Sequence, residues 1–132
     1  MLQATNPEIL KVQQILENID LLLNEGFPLT RKMEKVGRCN LNVVRSACGT
    51  YRCLAGWSDT VPGLTGKFGI EIFGGEWCYR SAVTRKSFGL NLAEHLAVFG
   101  VIASGGTLND REDYVRNVLR PRWQSRLNEL LG

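Results

Sequence analysis

Between positions 9 and 23 the apolar residues Ile9, Val12, Ile15, Leu16, Ile19, Leu22 and Leu23 recur at spacings of three and four. Only an α-helix gathers that pattern on one face, and a face so apolar must be buried. Asn6 is placed to cap the helix, and Pro7 suits the first position, where a missing amide proton costs nothing. Gly26 reads as a C-terminal stop and Pro28 as a bar to resumption. The pattern therefore predicts a helix over Pro7–Asn24 against which the rest of the chain must pack.

The remaining elements are shorter. Thr30 can cap a turn of helix ended by Gly37, and Leu41, Val43 and Val44 anchor the following segment without a clear period. A helix is expected to begin near Thr50 and carry Cys53, Leu54, Ala55, Gly56 and Trp57. Ile70–Phe73 and Glu76–Tyr79 flank Gly74-Gly75 in the manner of a β-hairpin. Asn91 can cap a helix over Leu92–Phe99 with Gly100 as its stop. Asn109 or Asp110 then opens a helix with Tyr114, Val115, Val118 and Leu119 facing inward. Pro121 interrupts that helix before a terminal one carrying Trp123, Leu127, Leu130 and Leu131. The expected fold class is α+β, mainly helical, a single compact domain over residues 1–132 with about five helices and one β-hairpin.

Composition permits a packed core: 44% of the 132 residues are hydrophobic and 22% are charged, which places the chain among ordinary globular domains. No apolar run approaches the eighteen or so residues needed to span a bilayer. The start of the chain has neither the basic nor the apolar part of a signal peptide. A cytoplasmic protein without a membrane partner is expected. In that compartment the four cysteines are expected as free thiols. The net charge of +3 is too mild to announce a nucleic-acid-binding domain. Charge is nevertheless uneven, because Arg116, Arg120, Arg122 and Arg126 fall in a stretch from Tyr114 to Arg126 with no acidic residue.

The stretch Cys48-Gly49-Thr50-Tyr51-Arg52-Cys53-Leu54-Ala55-Gly56-Trp57 is the most distinctive. Gly49 permits a sharp entry to a helix and Thr50 can satisfy its first amides. Ala55 and Gly56 allow close approach by another element, while Cys53 and Trp57 fill the core beside it. A zinc site would use Cys48 and Cys53, whose spacing suits a ligand pair, but Cys39 and Cys78 are widely separated in sequence and do not form a second. A cysteine-nucleophile enzyme would use Cys48, or Cys53 after it, with His95 as base, yet no residue is evident to orient that histidine. The expectation is packing, with no catalytic residue, metal or cofactor. The stretch resembles a Cys-Gly-Thr-x-x-Cys-x-Ala-Gly motif of small uncharacterised bacterial and bacteriophage proteins. Phe88-Gly89-Leu90-Asn91 and the helix through Val98-Phe99 are similar to a second feature of some of them. The resemblance covers about a third of the chain, omits Arg52 and the basic C-terminus, and implies a bacterial or phage origin and a shared core. It brings no activity.

The function expected from these features is a non-enzymatic protein-interaction module, phage-encoded, that inhibits or modulates a host nucleic-acid-handling or defence complex. Its partner would be a host or bacterial protein, nucleoprotein complexes included. The candidate binding residues are Arg116, Arg120, Arg122, Arg126, Arg80 and Arg85, since arginine is enriched where interfaces draw most of their energy. The alternatives are direct nucleic-acid binding through the C-terminal arginines and the cysteine enzyme.

Overall fold

The computed structural model describes residues 6–40, 52–73, 76–78, 80–100 and 106–132. The first helix, α1 (Pro7–Leu21), starts as expected: the Asn6 side chain accepts hydrogen bonds from the amides of Glu8 and Ile9. Ile9, Val12, Ile15, Leu16, Ile19, Leu22 and Leu23 are all buried.

The helix does not stop at Gly26. It passes through a wider π-helical stretch, Leu22–Gly26, directly into α2 (Phe27–Lys35), which contains Pro28. The same device recurs near the C-terminus, where α6 (Leu108–Tyr114) runs through a π-helical stretch, Val115–Leu119, into α7 (Arg120–Leu131), which contains Pro121. A proline inside an α-helix removes one hydrogen bond and crowds the carbonyl four residues before it. Adding a residue to the preceding turn re-spaces those carbonyls. The wider bonds run from the Phe27 amide to the Leu22 carbonyl and from the Arg120 amide to the Val115 carbonyl. Gly26 is instead a close-contact residue with ordinary helical φ of −66°. A Cβ there would lie 2.6 Å from Ser58 Oγ on α3 (Leu54–Ser58).

The α+β expectation is corrected: the protein is mainly helical. Among the described residues the helical stretches join into five continuous segments. The strands among the described residues are β1 (Glu71–Phe73) and β2 (Glu76–Cys78), which pair antiparallel with Ile72 opposite Trp77. Three residues on each side make no sheet layer for helices to pack upon, which is what an α+β class requires. The Gly74-Gly75 turn lies outside the described residues, so a β-hairpin as an architectural unit is not shown.

Two further helices complete the core. α4 (Ser81–Phe88) ends at Gly89, whose φ of 65° is a left-handed cap. α5 (Leu92–Phe99) opens with a reciprocal capping box between Asn91 and Glu94. In α6 the cap is Thr107 with Asp110, two or three residues earlier than an Asn109 or Asp110 start would place it. Val115 and Leu119 are buried as expected, whereas Val118 is exposed. The core gathers residues from α1 to α6 and from the two π-helical stretches, together with Leu64 and Phe68 on the turns that follow α3. α7 lies along α1 without a single fully buried residue.

Candidate functional site

The C-terminal arginines are held quite differently from what their sequence suggests. Arg116 pairs with Glu112 one turn earlier, at 2.9 Å. Arg120 reaches Asp20 on α1 at 2.7 Å, Arg122 reaches Glu94 on α5, and Arg126 bridges Glu8 on α1 and Glu129 on its own helix. Arg120, Arg122 and Arg126 are therefore paired with carboxylates on elements distant in sequence, while Arg116 shares Glu112 with Arg31. Surface pairs of this kind contribute about 0.2–1 kcal/mol each. Their larger consequence is geometric, because three of them orient α7 relative to α1 and α5. Burial works against ionisation of Glu94, but the Arg122 guanidinium and the Asn91 amide outweigh it and hold the carboxyl below its usual range. Arg80 pairs with Glu71 at 3.4 Å. Arg85 has no carboxylate partner among the described residues and donates to the Leu90 carbonyl.

Cys48, Gly49 and Thr50 lie outside the described residues. The rest of the motif is placed, and its helix starts later than expected: α3 begins at Leu54, with Cys53 in the extended cap position. Cys53, Leu54, Ala55 and Gly56 are buried against α2 and the π-helical stretch before it. Trp57 donates its indole N–H to the Arg38 carbonyl at 2.9 Å, and the Arg52 guanidinium sits 5.2 Å from its ring centroid. A parallel bridge between Cys39 and Arg52 ties the end of α2 to the start of α3. The described part of the motif packs a helix corner.

Neither described thiol in this corner is activated. Burial raises the Cys53 thiol, and burial with the nearby Glu34 pushes Cys39 up to about 11. A nucleophilic cysteine needs the opposite shift. His95 is buried, with Nδ1 3.2 Å from Ser81 Oγ and its ring 6.1 Å from that of Phe99. Burial, then the neighbouring Arg85, lowers its pKa and favours the neutral ring. Among the described residues no group of three or more His, Cys, Asp or Glu side chains could hold a metal ion.

The raised thiol makes a pH prediction. Alkylation of Cys39 by iodoacetamide, followed by peptide mass mapping, is expected to stay slow at pH 9, where an ordinary thiol is half ionised, and to accelerate toward pH 11. The linked stability change has a definite sign. Between about 9 and 11 the unfolded chain has lost a proton that the folded chain keeps, so this thiol contributes stability below pH 9 that disappears as pH rises through that window. Rapid labelling at pH 8 in the folded protein would contradict the burial.

One surface escapes a reading by charge. On α5, Leu92 and Leu96 are 56% and 41% exposed and lie one helical turn apart, although Val98 and Phe99 of the same helix are in the core. The apolar pattern of this helix was visible in sequence, but its two faces were not separable without the packing partners.

The chain matches no family model, no curated protein and no solved structure. No described helix is long and apolar enough to cross a membrane.

Proposed function

We propose that the protein is a non-enzymatic interaction module that docks a partner protein through the α5 face carrying Leu92 and Leu96. The observation that carries this reading is the exposed apolar pair itself, on a helix whose opposite side is locked into the core. Exposed leucines one turn apart gain free energy when a partner removes them from water. The paired C-terminal arginines argue against phosphate contacts by all four of them, and the raised Cys53 thiol argues against that residue as a nucleophile. The motif's resemblance to phage proteins supports a host or bacterial partner, and a nucleic-acid-handling or defence complex is the target we propose for inhibition or modulation.

The test compares the wild type with the double variant Leu92→Glu, Leu96→Glu in pull-downs from bacterial lysate, with and without nuclease. Both positions are exposed, so stability is expected to stay within about 0.5 kcal/mol. Loss of a nuclease-resistant partner in the folded variant is the expected result. Retention of that partner by the variant, or its release by nuclease alone, would overturn the reading.

A further inference from the structure

Four basic side chains without a carboxylate partner among the described residues meet at one place, whereas Lys32, Lys35 and Arg38, in and just after α2, lie outside it. Arg31, Arg80, Arg116, Arg120, Arg122 and Arg126 each have a carboxylate partner. Lys11, Lys67, Arg85 and Lys86 have none among the described residues, and all four line two adjoining clefts between α1 and α4. The clefts have volumes of about 560 and 230 Å³, and Lys11, Ile15 and Lys86 line both. The larger one extends to Trp123, whose buried indole N–H has no acceptor among the described residues.

We propose that these joined clefts bind a small ligand carrying two or more phosphate groups, held by Lys11, Lys67, Arg85 and Lys86. Four like charges lining a concave surface repel one another, and a bound polyanion removes that repulsion. The larger volume falls in the range of small-ligand sites. Two joined lobes, both lined by lysine, suit an anion with charge at more than one point better than a single carboxylate. Trp123 supplies a neutral donor at the edge of the set. At that same end the Arg122–Glu94 pair places a carboxylate on the wall. Glu94 opposes a nucleic-acid backbone running on past the cleft, whereas a compact ligand keeps its phosphates toward Lys11 and Lys86. The site is separate from the Leu92–Leu96 face and does not depend on the partner proposed there.

Titration calorimetry with inorganic triphosphate at low salt tests the proposal, alongside a single-stranded oligonucleotide and a polyglutamate peptide as competing polyanions. Triphosphate is expected to bind and to raise the melting temperature. Lys11→Ala with Lys86→Ala, both exposed positions, should weaken it at least tenfold without lowering the melting temperature of the free protein. Arg116→Ala with Arg120→Ala should leave its affinity unchanged. No heat and no melting shift at millimolar triphosphate would overturn the site. So would tighter binding of the oligonucleotide or the peptide than of triphosphate, or equal loss of affinity in both double variants.

Discussion

Replacing Phe68 by alanine is expected to cost about 3–5 kcal/mol, read from urea unfolding at constant m-value. Phe68 is fully buried on the turns that follow α3. Its ring centroid lies 5.4 Å from that of Phe88 on α4 and 5.5 Å from that of Phe99 on α5, and those two rings are 5.6 Å apart. The three rings thus join a turn region and two helices at one point. Such aromatic pairs add to the free energy of area burial, so truncation removes two ring contacts as well as leaving a cavity. The backbone here is tied too, since the Phe68 carbonyl accepts from the Arg80 amide and the Thr84 hydroxyl. Phe68→Leu keeps most of the volume and is expected to lose less than half as much. A cost for Phe68→Ala below about 1 kcal/mol would mean that the rings do not form this junction.

Helix α1 was legible because burial, period and capping all agreed over a long stretch. Elements whose stability comes from elsewhere were not. α4 reads Ser-Ala-Val-Thr-Arg-Lys-Ser-Phe, with too few apolar residues for a periodic signal, and it buries Thr84 in place of a leucine. That hydroxyl is satisfied by the Phe68 and Arg80 carbonyls, so a polar side chain does core work that hydropathy does not register. The passage of helix through Pro28 and Pro121 was equally hidden, because the π-helical turns that accommodate them have no composition of their own. The charge pairing of the candidate residues was hidden for a related reason. Counting charges from Tyr114 to Arg126 finds no acid, yet Arg126 meets Glu8 across 118 positions and Arg120 meets Asp20 across 100. Neutralisation is a tertiary property. A local count identifies which charges exist but not which remain unmatched: Lys11, Lys67, Arg85 and Lys86, from three separate parts of the chain, meet at one pair of clefts without a carboxylate partner among the described residues.

Gly89→Ala is expected to destabilise the protein by about 2–5 kcal/mol, from two independent causes. Gly89 caps α4 at φ 65° and ψ 45°, a left-handed conformation that costs a residue with a Cβ about 1–2 kcal/mol. The added methyl would also lie 2.4 and 2.6 Å from Trp123 Cζ2 and Cε2. An indole cannot yield as a flexible side-chain tip would, and overpacking of this kind costs about 1–3 kcal/mol. Trp123 is the large aromatic anchor of α7, a helix with no fully buried residue, so the clash falls on the least securely held element. A double-mutant cycle separates the causes. In a Trp123→Ala background the steric contribution vanishes while the backbone contribution remains, so Gly89→Ala should there cost only about 1–2 kcal/mol. Equal costs in the two backgrounds would show that Trp123 does not rest on Gly89. Amide exchange gives a second readout: in Gly89→Ala the α7 amides should lose protection before those of α1, because exposed ion pairs alone are too weak to hold the helix.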